Sequence, residues 1–259
     1  GTRDPYVGLM KGVIFGINPK VTVTDLCHDI NPHNILQGAF LLGNTSRFFS
    51  KGSIHVAVVD PGVGTKRRSI ALATPDFFFI APDNGLLSYV VKYGFAISKT
   101  SHNRGTKCLP PGFRVYQLTN ENYWIHPLSN TFHGRDIMAP VAAHISLGVP
   151  LDKVGEETDS LEVLSLRDQM WYDNLLKGKI VHVDRFGNLV SDIPASLLNE
   201  QRVDVIVNGQ TIHGLSSSYE SGGDILAIIG SYNTLEISVN RDNAARLLKV
   251  KVGDVVHLV

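Results

Sequence analysis

A carboxylate, an imidazole and a guanidinium set close together can bind a ligand and move protons on it. Three such side chains stand at suggestive points of this sequence. Asp60 opens the turn Asp60-Pro61-Gly62-Val63-Gly64-Thr65, directly after the apolar run Ile54 to Val59. Polar residues at the carboxyl end of a strand are where α/β folds place ligands, and the glycines let a ligand approach the backbone. An ordinary tight turn explains the same residues equally well. Arg67 and Arg68 follow; a solvated pair is the commoner fate, whereas one turned inward would partner Asp60. His133 stands between a loop and a helix start, where backbone N–H groups and the positive helix end would face a pocket. A lone histidine is more often structural, and the chain has ten.

Other chemistries fit less well. The Gly-rich turn lacks the Gly-Lys-Ser/Thr ending that holds phosphate and magnesium. Gly214-Leu215-Ser216-Ser217-Ser218 misses the final glycine of a serine-hydrolase elbow. His28, Asp29 and His33 repeat at no recognised ligand spacing, so no catalytic metal is expected. Cys27 and Cys108 stand in unrelated contexts, which argues against a disulfide scaffold or zinc site and is compatible with the cytoplasm. In the second half, Asp184-Arg185-Phe186-Gly187-Asn188 brings an acid, an aromatic ring and an amide together. Such a set suits a nucleoside, although an isolated Asx-type turn is at least as common.

The elements that must position these groups fall into two grammars. Val21 to Asp25 reads as a strand, and Asn34 caps a helix through Ile35, Leu36, Ala39, Phe40 and Gly43. The runs Ile54–Val59, Ile70–Ala73 and Phe77–Ala81 are continuous apolar strands. Between helices, such strands predict an α/β layer with a largely parallel central sheet. Residues 102–130 read mainly as loop. Asp136 and Pro140 suit the first turn of a helix that Gly148-Val149-Pro150 ends. After Lys177, short strands Lys179–Val183, Val203–Val207, Ile225–Ile229, Leu235–Val239 and Val255–Val259 predict a smaller, mostly antiparallel, barrel-like β domain. Asn208-Gly209 is a hairpin turn there, and Asn243–Leu248 a short helix. The expected division is 1–160, a polar linker 161–176, and 177–259.

Composition narrows the partners. Of 259 residues, 43% are hydrophobic and 19% charged, with 24 basic against 24 acidic and no net charge. An ordinary globular protein has this balance, and no basic face invites nucleic acid or an anionic membrane. No apolar run reaches the roughly 18 residues of a membrane span.

Five segments in order resemble the S-adenosyl-L-methionine hydroxide adenosyltransferases, relatives of the bacterial fluorinase and chlorinase. They are Asp4-Pro5-Tyr6-Val7-Gly8, Asp60 to Thr65, Ala81-Pro82-Asp83-Asn84-Gly85-Leu86-Leu87, Phe132-His133-Gly134-Arg135-Asp136, and Asp184 to Asn188. The resemblance spans nearly the whole chain. It implies a homotrimer with active sites between the amino-terminal domain of one subunit and the carboxy-terminal domain of the next. Asp60, Arg67 and His133 match the hydrolase trio; the halogenating relatives typically carry tyrosine, threonine and tyrosine there. Gly134 stands where the fluorinase has a halide-contacting serine.

The resemblance implies that Asp184 and Asn188 lie near the methionine portion, while Ser231, Tyr232, Asn243 and Ala244 match the neighbourhood that reads adenine. Phe132 and Phe186 would be apolar walls, with Asp4, Tyr6 and Glu236 further substrate contacts. It also implies a strand ending in Asp-Phe-Gly whose aspartate grips the ribose hydroxyls. Gly1 matches that glycine, and the strand would precede it. The expected activity is hydrolysis of S-adenosyl-L-methionine, the substrate, without a cofactor, by water attacking ribose C5′. Halide-dependent adenosyl transfer and non-catalytic binding of adenosine or S-adenosylmethionine are the alternatives.

Overall fold

The structure is a computed structural model that describes residues 1–98, 109–166, 171–172, 175–198 and 203–259. Cys108, part of the 102–130 loop and part of the 161–176 linker lie outside the described residues. The chain divides into two compact units, Gly1–Ser165 and Leu166–Val259.

The first unit contains helices α1 (Tyr6–Ile17), α2 (Ile35–Thr45), α3 (Ser88–Ser98), α4 (Ala139–Ser146) and α5 (Leu151–Val154). Its strands are β1 (Ile54–Val56), β2 (Ser69–Ala73), β3 (Phe78–Pro82), β4 (Arg114–Gln117) and β5 (Glu156–Thr158), in the order β1-β3-β2-β4-β5. Asn34 caps α2 as expected, its Oδ1 accepting from the Gln37 N–H at 3.0 Å. Gly43 brings α2 against α3, since a Cβ there would lie 2.5 Å from that of Tyr89. Ala71, Ile80, Tyr116, Met138 and Val141 form a shared core between sheet and helices.

Two expectations fail here. The sheet is mixed, not largely parallel: β1–β3 is its parallel pairing, while β2–β3, β2–β4 and β4–β5 are antiparallel. The cause is the Thr74–Phe77 link, closed by the Thr74 N–H donating to the Phe77 carbonyl at 2.9 Å. So short a link can join only antiparallel neighbours. Val21–Asp25 is no strand either; it runs as irregular, partly exposed chain. Its alternation of polar and apolar residues reflects one half-covered side, not a ladder.

Helix α1 went unread in the sequence. It is apolar along most of its length and packs beside α4, yet none of its residues is buried; Tyr6, Leu9 and Phe15 are exposed.

The second unit contains β6 (Trp171–Tyr172), β7 (Leu175–Val183), β8 (Leu189–Pro194), β9 (Asp204–Val207), β10 (Gln210–His213), β11 (Ile225–Ile229), β12 (Thr234–Val239) and β13 (Val255–Leu258), with helix α6 (Ala244–Leu248). The path β10-β9-β13-β7-β8-β12-β11 is antiparallel, β6 adds to β7, and the edge strands β10 and β11 approach one another. The near-barrel thus agrees with the sequence reading. Asn208 and Gly209 both take positive φ, 45° and 78°, as the expected two-residue hairpin requires. Leu176, Ile180, Leu189, Ile237 and Val256 lie in its core.

Candidate functional site

In the first unit, Arg67 is hydrogen-bonded to both Asp60 and His133. Arg67 Nε donates to Asp60 Oδ1 at 2.9 Å, and Nη2 donates to Asp60 Oδ2. The two side chains are only 7% and 5% exposed, so each charge depends on the other. Nη2 also lies 3.2 Å from His133 Nδ1. Nη1 donates to the Arg68 carbonyl at 3.0 Å and to Ser69 Oγ at 2.8 Å. A guanidinium has five N–H donors, and these contacts occupy all of them. The arginine that partners Asp60 is thus Arg67, and Ser69 is an anchor that the sequence reading missed.

The loops carrying the trio are pressed together at Gly64. With φ of 76°, it places its backbone where a Cβ would sit 2.2 Å from the Asn130 carbonyl oxygen. His133 precedes a π-helical turn, Gly134–Met138, which runs into α4; π-turns concentrate at functional sites. The N–H groups of Arg135 and Asp136 donate to the Phe132 carbonyl at 3.0 and 3.1 Å. They are therefore not free to face a ligand, as the helix start had implied. Asp136 is fully buried, pairs with Arg135 and accepts from the Ser129 N–H at 2.9 Å, fixing the approach to His133.

Burial pushes the His133 imidazole below its usual pKa, and the Arg67 cation lowers it further, against opposing pulls from Asp60 and Asp136. The geometry gives the same sign, because Arg67 can only donate. Nδ1 must then accept, and neutral His133 carries its proton on Nε2.

Tyr6 meets Phe132 edge-on at 5.0 Å, and the Arg135 guanidinium lies 5.2 Å over the Phe132 ring. Met10, Val58 and Phe132 crowd the space a Cβ on Gly134 would enter, at 3.3 to 3.4 Å. Asp4 is exposed just ahead of α1.

The second unit has a cleft of about 820 Å³. Asp184, Phe186, Asn188, Ser231, Tyr232, Glu236 and Asn243 line it, as do Tyr219, Val239, Arg241 and Asp242, which the sequence did not single out. Asp184 makes the Asx-type turn: its Oδ1 accepts from the Phe186 and Asn188 N–H groups, and its Oδ2 from Asn188 Nδ2, each at 2.9 Å. Asn243 caps α6 through the Arg246 N–H at 2.7 Å. Ala244 is not among the cleft's residues; its side chain is fully buried in the β core. Glu236 is buried and accepts on Oε1 from Tyr219 at 2.8 Å and Ser238 at 2.9 Å. Burial, with Glu236 second, pushes the Tyr219 hydroxyl up to about 12.

Two domain families match the chain: the SAM hydroxide adenosyltransferase N-terminal domain over residues 1–155, and the corresponding C-terminal domain over 178–257. The chain belongs to the SAM hydroxide adenosyltransferase family. Relatives of this family include an (R)-S-adenosyl-L-methionine hydrolase of Methanocaldococcus jannaschii, 33% identical over 100% of this chain and 92% of the relative. A Nocardia brasiliensis fluorinase is 24% identical over 98% of this chain and 92% of its own length. Among solved structures, an uncharacterized conserved protein of Thermotoga maritima superimposes with a TM-score of 0.88 at 32% identity, covering 100% of this chain and 96% of that one.

Proposed function

We propose that this chain hydrolyses S-adenosyl-L-methionine to adenosine and L-methionine, with Asp60, Arg67 and His133 handling the water. The single observation that carries the site assignment is the pre-formed Asp60–Arg67–His133 cluster. The hydrolase relatives, 33% and 32% identical to this chain, support the reaction; the fluorinases match at 24 to 27%.

In this reading, His133 Nε2–H donates to the water oxygen, and the water directs a proton at an Asp60 oxygen. Water oxygen bonds to ribose C5′ as the C5′–S bond breaks, its electron pair neutralising the sulfonium. The proton passes to Asp60. Arg67 has no N–H left for the nucleophile; it fixes Asp60 and the His133 tautomer and contributes its field. Positioning supplies much of the acceleration, since methionine is already a good leaving group.

The β-unit cleft is the proposed substrate cradle. Asp184, Glu236 and Asp242 outnumber Arg241 along it, which suits a ligand bearing sulfonium and ammonium charges. The proposed assembly is a homotrimer joining amino-terminal and carboxy-terminal domains of neighbouring subunits; the exposed apolar side chains of α1 support self-association. A cytoplasmic location is proposed with it. Among the described residues no helix is long and apolar enough to cross a membrane.

Incubation with S-adenosylmethionine in oxygen-18 water, with and without chloride, tests the reaction by chromatography and mass spectrometry. Adenosine labelled at its 5′-hydroxyl is expected. A 5′-chloro product, label in a methionine-derived alcohol, or binding without turnover would each reject it. Light scattering that finds a fully active monomer would reject the shared-site trimer.

A further inference from the structure

The Ala81–Leu87 segment has no part in the chemistry described so far, yet it grips the chain on both sides of the Asp60–Arg67 loop. Asn84 Nδ2 donates to the carbonyl of Val59, the residue before Asp60, at 2.9 Å. Its Oδ1 accepts from the Leu86 N–H at 3.2 Å, which sets the carboxamide's orientation. At the other end, Asp83 holds Arg68, the residue after Arg67. Arg68 Nε donates to Asp83 Oδ2 at 2.8 Å, and Nη2 donates to the same oxygen. The Asp83 side chain is 1% exposed, and its Oδ1 accepts from the Glu162 N–H at 2.8 Å.

The grip at Asp83 bears directly on Arg67. The Arg68 carbonyl accepts from the Asp83 N–H at 2.9 Å and from Arg67 Nη1 at 3.0 Å. The backbone point that anchors the Arg67 guanidinium is therefore itself anchored to Asp83. Arg68 reaches on to Thr158 Oγ1 at 3.3 Å and to the Ser160 hydroxyl and carbonyl at 3.1 and 3.0 Å. These contacts tie the loop to β5 and the chain after it. Between Val59 and Arg68 the loop is also held by its own turns, by Gly64 against Asn130 and by the Arg67 contacts to Ser69 and His133.

We infer that Asp83, Asn84 and Arg68 are positioning residues: they fix the two ends of the 60–67 loop so that the Asp60–Arg67 pair meets His133. This rests on the functional reading above. Among the described residues, no hydrogen bond joins these three side chains to His133 or the Asp60 carboxylate, so each acts through Val59, Arg67 or the backbone between them. A misplacement of about 1 Å can cost on the order of a hundredfold in rate, and releasing either end of the loop permits a shift of that size.

The test compares Asn84→Asp, which keeps the acceptor for Leu86 and loses the donor to Val59, with Arg68→Lys, which keeps the charge and loses the two-nitrogen grip on Asp83. Each is assayed in the full-length protein beside wild type and Asp60→Asn, with melting temperatures measured and rates taken well below them. The expected result is kcat lower by about ten- to a hundredfold, with KM within about threefold, in samples that melt as single folded species. Normal kcat in both variants, with Asp60→Asn inactive and wild type active, overturns the clamp alone. So does a loss that appears only in KM. A wild type without turnover overturns the functional reading, and the clamp with it.

Discussion

In the first unit, polar groups are spent on one another. The Arg67 guanidinium uses five N–H donors on Asp60, His133, Ser69 and the Arg68 carbonyl, and its side chain is 7% exposed. In the second unit, Asp184, Asn188 and Glu236 are also tied into local hydrogen bonds, but the cleft keeps an open apolar face: Phe186 is 76% exposed. On the proposed function, the difference separates two tasks. A reacting group gains from being fixed before the substrate arrives, whereas a binding group gains from having its partners supplied by the ligand. Substitutions in the two regions should consequently act on different kinetic constants.

The largest effects are expected at the trio. Asp60→Asn, Arg67→Lys and His133→Gln should each lower kcat by roughly a hundred- to ten-thousandfold with little change in KM. Double variants should be scarcely worse than singles, as for groups acting as a unit. Additive losses in a steady-state assay would break the idea of one pre-formed cluster. Asp60→Asn and Asp60→Ala both strand the buried Arg67 charge, which costs about 3–5 kcal/mol in stability, but Asp60→Ala also removes every acceptor that Arg67 Nε and Nη2 use there and is the less informative of the two.

In the cleft, Phe186→Ala and Glu236→Gln should raise KM by about tenfold, or about 1.4 kcal/mol in binding, and leave kcat within about twofold. A fall in kcat at unchanged KM would erase the distinction between the regions.

The pH dependence sharpens the comparison further. His133 must stay neutral to accept from Arg67, and its pKa is lowered. Turnover should therefore hold as pH falls through the ordinary histidine value of about 6.5, then drop at the lower folded-state pKa. Arg67→Met removes a lowering influence and should move any residual acid limb upward. A limb that moves downward would contradict the assigned contact.

The smallest effect belongs to a histidine of the first unit outside the trio. His55 is buried among Phe49, Phe77 and Phe79, and its Nε2 has no hydrogen-bond partner. Burial lowers its pKa, so the folded state binds fewer protons than the unfolded one. The associated stability is complete above pH ~6.5 and is lost as pH falls through the folded-state value. His55→Phe should raise the melting temperature by a few degrees, equivalent to about 1 kcal/mol, and reduce the acid sensitivity. Unchanged melting at pH 5 would refute this.

Local signals explain what the sequence revealed. The Asn34 cap, the Asn208-Gly209 hairpin and the short β strands all depend on near neighbours. The trio drew notice by residue type and motif, although spacing alone left the inward arginine undecided between Arg67 and Arg68. Strand direction in the first sheet was misread because apolar runs carry no direction; the short Thr74–Phe77 link decided it. Ser69 and Tyr219 escaped, and Asp136 was read only as a first-turn and motif residue, because their importance lies in side-chain partners that chain position does not disclose.

The Arg67–His133 contact also constrains the order in which the protein assembles. Asp60 and Arg67 are 7 residues apart, whereas His133 is 66 from Arg67. By the (3/2)RT ln n scaling, closing the longer loop costs about 2 kcal/mol more in chain entropy. The ion pair can form while the turn is still a local structure. The histidine arrives only when the intervening β2–β4 ladder has found its register. Competence is then a late event in folding, and a chain whose β2–β4 ladder has not yet formed would hold the charged pair without the imidazole that completes it.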